Sequence, residues 1–334
     1  MNVSVIALLM VCLLALAPQR SVAGGAAGLV VPDEVLRWLE RRGVPFNEAE
    51  LRRAAAAAML RAADARAELR DEEGARWWST NRCIACATQW PGDLAYVRLN
   101  GCFDADASGL GSEIRSVTST NSQGLIIDLR GAGGFSTPAM AAVGGVVVGE
   151  GSDLVRILRA AGATTEVVRA AGAAASPVPP VVLVTDGGTW GAAEGLAWGL
   201  KGRAGVLVLG GATSGDGAAR ERAELGGGYT AVVATGRYQR ADGAEVPSGG
   251  IVPDVLVSDA GPARAATDGP GEAPNAAEAR VLMRRIGGDR ALRRAADLLL
   301  GLKAMKAGVG GGDADAEPAG GTNGPPAPET GGKE

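Results

Sequence analysis

Apolar positions fall into three textures along the chain. An unbroken apolar run, VSVIALLMVCLLALA, occupies residues 3–17. Residues 33–74 mix charged and small apolar residues and read as helix. Within LRRAAAAAMLRAADARAEL, Leu51, Ala55, Met59 and Ala62 recur at helical spacing and predict one packed face, while Asn47 and Glu50 form a capping-box-like start. From residue 94 the texture changes to short, nearly all-apolar segments: LAYVRL (94–99), GLIIDL (124–129), VVLVTD (181–186) and VLVLGG (206–211). Such runs read as strands of a parallel sheet buried on both faces. Helices are predicted between and around them over 105–119, 137–144, 152–160 and 190–201, with an apolar VVV at 146–148. GYTAVVATGRYQ (228–239) alternates and predicts a partly antiparallel hairpin, and a last helix is predicted at 289–304. The implied class is α/β: a mostly parallel sheet with helices on both faces, preceded by a small helical N-terminal region.

This pattern divides the chain into an N-terminal targeting segment (1–23), a helical region with its linker (24–93) and an α/β core (94–259). A linker with the C-terminal helix (260–306) and a breaker-rich tail (307–334) follow, the tail being too polar to fold alone. The first apolar run spans about 15 residues, short of the roughly 20 that cross a bilayer. It is followed by Pro18 and by Ser21-Val22-Ala23 before Gly24, the small-x-small pattern of a secretory signal peptide cut after Ala23. The expected location is therefore secreted or periplasmic. An uncleaved anchor is the alternative reading of this segment, and it would be the only membrane attachment.

Composition narrows the chemistry. The 334 residues include no histidine, which excludes every triad, dyad or metal site that needs an imidazole. Lysine occurs only at 201, 303, 306 and 333, so arginine supplies nearly all the positive charge. A net charge of −4 without a basic stripe argues against nucleic-acid binding. Export would leave Cys83, Cys86 and Cys102 in an oxidising compartment, where they predict a structural disulfide with one thiol left over. Cys83-Ile84-Ala85-Cys86 has half the ligands of a zinc site and no second half, so no metal is expected. Three glycine-rich loops, 130–135, 186–191 and 211–217, follow predicted strands, where open α/β sheets gather ligands. None matches a nucleotide-binding pattern, so no cofactor is expected.

Several segments, in order, resemble the C-terminal processing peptidases, or tail-specific proteases. AAMLRAADARAELRDEE is similar to the family's lead-in helix, and AYVRLNGCF with GLIIDLRGAGG to its core strand and Asp-Leu-Arg-x-x-Gly-Gly loop. VVLVTDGGTWGAAEGLAWGL resembles the strand and helix carrying the nucleophile. VLVLGGATSGDG resembles the strand and loop carrying the catalytic lysine, and GRYQRADGAEVPSGGIVPDVLV the closing segment. The likeness covers roughly residues 33–258 and implies the family's crotonase-like core. About 20 residues (74–93) stand where many members carry a PDZ domain, too few for that fold.

The resemblance implies a serine nucleophile and a lysine general base, a pairing that needs no histidine. Placing the family's glutamate on Glu194 sets its serine at Gly191, and the same frame sets its lysine at Asp216. No serine lies in 186–198 and no lysine in 202–302, so realignment does not recover the pair. Thr189 and Ser214 are the hydroxyls left for a relocated nucleophile. Backbone N–H groups at Gly133 or Gly134 and at Ala192 are the candidates for an oxyanion or peptide-binding cradle. The expected function is a catalytically inactive protease-like protein that binds a polypeptide or peptide C-terminus in the former cleft. A serine- or threonine-type peptidase with a moved site and a non-binding oligomerisation scaffold are the alternatives.

Overall fold

A computed structural model describes residues 32–75, 83–101, 107–118, 121–134, 136–159, 165–175, 178–257 and 288–310. The first apolar run, Cys102 and the C-terminal tail lie outside them. Among the described residues no helix is long and apolar enough to cross a membrane.

Six strands form the sheet that the apolar runs predict. They are β2 (Ile84–Trp90), β3 (Leu94–Leu99), β4 (Gly124–Asp128), β7 (Val181–Thr185), β8 (Val206–Gly210) and β11 (Val255–Leu256), in the order β11-β8-β7-β4-β3-β2. Every pair is parallel except β2 with β3, so the sheet is mixed at one edge. Successive residues of β4 serve opposite faces. Leu125 and Ile127 join a core with Ile114, Met140, Val143 and Leu196, while Ile126 joins a second with Leu292, Ala295 and Leu299. The first core is covered by α3 (Leu110–Val117), α4 (Thr137–Val148) and α5 (Ala192–Leu200), the second by α6 (Arg290–Gly310). Burial on both sides is why these strands carry no polar alternation.

A second sheet is antiparallel. β10 (Tyr229–Gln239) pairs with β9 (Ala218–Leu225), with β1 (Glu68–Arg70) and with β5 (Asp153–Arg159), and β6 (Thr165–Arg169) completes it beyond β5. The alternation at 228–239 is thus a strand, with its hairpin partner upstream.

Several predicted elements change. Residues 153–159 form β5, not a helix: Arg156–Arg159 pair with Gly236–Gln239 of β10, a partner some 80 residues away that local spacing does not reveal, and Leu154, Val155 and Ile157 are buried. Val146–Val148 continue α4. The single N-terminal helix is two, α1 (Pro32–Arg41) and α2 (Glu48–Ala63), broken at Gly43 (φ 64°) and Pro45. Asn47 does cap α2, accepting from Glu50 N at 3.3 Å. The predicted apolar face packs only in its first half: Leu51 and Ala55 are half-buried, whereas Ala62 is exposed and Met59 is 67% exposed.

Candidate functional site

The site forms where β4, β7 and β8 end. After β7 the chain turns through Asp186–Gly191 into α5. One oxygen of Asp186 accepts from Gly188 N (2.9 Å) and from Gly131 N (3.0 Å), tying this turn to the loop after β4. Thr189 is fully buried, and its hydroxyl donates to Leu129 O at 2.8 Å and accepts from Asp186 N at 3.2 Å. This hydroxyl fastens two loops together and is closed to a substrate. Gly191, at the family's nucleophile position, has φ 61° and ψ −132°, a left-handed conformation that favours glycine. A strained strand-to-helix turn is also where hydrolases present a nucleophile. A side chain would find room here: the nearest atoms to an added Cβ are Arg220 Nη1 at 3.8 Å and Ala218 O at 3.9 Å. Glycine at this turn brings no hydroxyl of its own.

Glu194, one helical turn on, is completely buried. Its carboxylate accepts from Gly215 N at 2.7 Å, from Gly217 N at 2.8 Å and from the Thr213 hydroxyl, holding the 211–217 loop against α5. Ser214 N donates to Thr189 O at 3.0 Å, and Ser214 Oγ accepts from Asp216 N at 3.3 Å. The two loops are therefore adjacent. The Thr189 and Ser214 hydroxyls and the Asp216 carboxylate nonetheless share no side-chain hydrogen bond among the described residues; the carboxylate within reach of Thr189 Oγ1 is Asp186, 3.5 Å from it.

Asp216, at the family's lysine position, is occupied. Arg220 donates to both its oxygens, Nη1 to Oδ2 at 2.5 Å and Nη2 to Oδ1 at 2.9 Å. The same guanidinium forks onto Asp64, Nε to Oδ2 and Nη2 to Oδ1, both at 2.8 Å. These are charge-assisted bonds between side chains that are 5% (Arg220), 7% (Asp64) and 14% (Asp216) exposed. Burial alone would lower the Arg220 pKa, but the two carboxylates outweigh it and raise it. Burial alone would raise the Asp64 pKa, yet Arg220 and the N–H groups of Arg66 and Ala234 hold it below its ordinary value. Both oxygens of Asp216 are thus engaged by Arg220.

Gly133 corrects a prediction. Its N–H donates to Gly131 O at 2.9 Å, so it is not held out for an oxyanion. The Trp190 indole also lies against it: a Cβ on Gly133 would sit 1.6 Å from Trp190 Nε1. The Arg66 and Arg220 guanidiniums lie over the Trp190 ring, 4.7 and 5.1 Å from its centroid. Gly134 (φ 71°) and Ala192 are buried. Ala192 opens α5, whose first N–H groups have no helical carbonyl to reach. Trp190, Arg220, Asp64 and Arg66 are the residues that sequence reasoning did not single out. The one signal was the tryptophan beside Gly191; its two arginines come from distant segments.

The remaining candidates sit apart. Lys201 pairs with Asp254, which also accepts from Val208 N at 2.9 Å. Arg130 is 2% exposed and binds Asp128 (2.7 Å) and Asp289 (2.7 Å), fixing the start of α6 beside the glycine loop. Cys83 is disulfide-bonded, while Cys86 is a buried free thiol whose pKa burial pushes up to about 11. The two cysteines of Cys83-Ile84-Ala85-Cys86 are therefore not bonded to each other.

The profile of peptidase family S41 matches residues 93–257. The chloroplastic C-terminal processing peptidase of Tetradesmus obliquus is 30% identical over 177 residues, 52% of this chain but 38% of that protein. The chain thus spans well under half the length of that relative. Among solved structures, a lipoprotein from Streptococcus agalactiae superposes with a TM-score of 0.53 at 17% identity, over 67% of this chain and 84% of that one, and shares the fold. The photosystem II D1 C-terminal processing protease matches at 27% identity and a TM-score of 0.42, over 57% of this chain and 48% of that one. Residues 93–257, just under half of the chain, are thus similar to peptidase family S41.

Proposed function

We infer that this chain is an S41-type protein that does not cleave, and that it holds a polypeptide segment beside the former nucleophile position. One observation carries the reading: Gly191 offers no nucleophile, and the acid at position 216 has both oxygens on Arg220. A hydroxyl nucleophile needs a base within hydrogen-bonding reach. Thr189 donates its proton to a backbone carbonyl, and Ser214 accepts from Asp216 N without facing a base. Both fallback hydroxyls are thereby disfavoured as nucleophiles.

A cavity of about 450 Å³ supports the binding half. It lies between α4 and the antiparallel sheet, lined by Thr137, Ala141, Ile157, Val168, Ala219 and Arg220 among others. Arg220 Nη1 also stands 3.8 Å from where a Cβ on Gly191 would lie, so the cavity's lining reaches the turn. Its apolar floor and charged rim suit an extended segment with an aliphatic side chain. The apolar run at residues 3–17 supports export of the chain to the compartment where that segment is met.

A fluorophosphonate probe and an immobilised peptide library test the two halves. The expected result is no covalent labelling together with saturable peptide binding that Ile157→Asp abolishes. Labelling that disappears in Ser214→Ala or Thr189→Ala protein would establish a moved peptidase site. Absence of any saturable peptide would leave a scaffold.

A further inference from the structure

The N-terminal helices hold on to the core through very little. Leu36 is the only buried residue of α1, α2 has none, and β1 pairs with β10 over three residues, Glu68–Arg70 with Thr230–Val232. Short pairing and scant apolar burial mark a segment that opens at low cost. Apart from the buried Ala67 and Ala75, the latter packed with Val232, what fixes the segment is polar and falls on the candidate site. Asp64, at the C-terminal end of α2, accepts four hydrogen bonds, two from Arg220 and one each from Arg66 N and Ala234 N. Two residues on, the Arg66 guanidinium lies over Trp190, and its Nε stands 3.9 Å from Asp216 Oδ1. Trp190 in turn covers Gly133.

We propose that residues 64–70 form a strap that holds Trp190 down on the glycine loop, and that its release uncovers the cleft. Asp64 is the catch, because it shares Arg220 with Asp216. Losing Asp64 leaves Arg220 with one carboxylate, frees the turn that carries Arg66, and removes one of the two cations over the Trp190 ring. The indole then leaves Gly133, and an extended segment gains access to the loops after β4 and β7. The strap itself requires only the contacts above; the consequence for polypeptide access rests on the function proposed for the cleft.

Hydrogen exchange followed by mass spectrometry on the full chain separates these claims. In Asp64→Asn protein, peptides covering 64–70, 230–234 and 129–134 should exchange about tenfold faster, the scale of a lost charge-assisted hydrogen bond. Peptides covering β7 and α5 should not change. Arg66→Ala, which leaves Asp64 on Arg220, should speed exchange at 129–134 while 230–234 stays protected. It serves as the deciding variant if Asp64→Asn does not fold. Unchanged exchange at 129–134 in both variants would overturn the strap, as would a uniform rise across the whole chain, which marks a mere structural staple. Peptide affinity is measured beside exchange. Faster exchange with tighter binding supports the gated cleft. Faster exchange with unaltered binding keeps the strap and sinks the polypeptide site.

Discussion

Replacing Gly133 with alanine puts a methyl where the Trp190 indole now lies. The added carbon would stand 1.6 Å from Nε1, 1.9 Å from Cε2 and 2.5 Å from Cζ2. Carbon atoms at rest keep about 3.5–4.0 Å apart, so no small adjustment relieves three such contacts. The ring must leave. Leaving forfeits its stacking under Arg66 and Arg220, about 0.5–1 kcal/mol for each exposed cation–π contact and more for the desolvated one. Together with the strain of an overfilled site, Gly133→Ala should cost about 1–3 kcal/mol. Trp190→Ala should cost a similar amount by itself, since it deletes the ring and both cation–π contacts. The informative quantity is the double substitution. With the ring gone the methyl enters vacated space, so the pair should be scarcely less stable than Trp190→Ala alone. Urea denaturation of the four proteins reads this as a coupling of about 1–3 kcal/mol, opposing the single effects. Stabilities that add to within about 0.5 kcal/mol would refute the packing of Trp190 on Gly133.

Two other outcomes follow from buried carboxylates. Glu194→Leu removes the acceptor for Gly215 N, Gly217 N and the Thr213 hydroxyl, and each buried donor left unmet costs about 1–3 kcal/mol. The urea midpoint should fall by more than for Glu194→Gln, which keeps an acceptor. Equal losses would show that the loop does not hang on this side chain. Asp64 and Asp254 both titrate below their ordinary value of 3.8 in the folded chain, where Arg220 and Lys201 respectively outweigh burial. Their folded forms bind protons less readily than the unfolded chain. The stability they contribute is present above pH 3.8 and is lost as pH falls from there through the folded values. Asp64→Asn should flatten that part of the stability–pH curve, and an unaltered slope would exclude Asp64 as a contributor.

How much of this was legible in the sequence depends on the range of the interaction. The strands of the mixed sheet announce themselves because each is buried on both faces and so is apolar at every position. The antiparallel sheet does not, because DLVRILR at 153–159 suits helix or strand until β10 arrives from beyond residue 229. Glycine at 191 and aspartate at 216, the positions that the resemblance assigns to the dyad, were readable directly in the sequence. What fills the site was not. Arg220 binds Asp64 across 156 residues and Asp216 across four, and no local pattern distinguishes it from Arg222 beside it. Gly133 looked free because glycine loops usually expose their N–H groups. Here a turn and an indole use the space.

These contacts form a chain of requirements that begins at position 216. A carboxylate standing where the family has a cation is sheltered from water and needs a partner, which Arg220 supplies from β9. An arginine 5% exposed has more donors than one carboxylate accepts, and an unmet buried donor is costly, so a second acid is needed. Asp64 meets that need only if the N-terminal helices dock against β10. Docking them carries Arg66 over Trp190 and shuts the ring onto Gly133. Restoring a serine at 191 and a lysine at 216 would therefore not rebuild a dyad by itself. The new lysine would face Arg220 and Arg66, with Asp64 as the nearest acid, and the glycine loop would still lie beneath the indole. On the function proposed above, absence of cleavage and closure of the cleft are linked through one guanidinium, so a peptidase built at these positions has to move Arg220 as well.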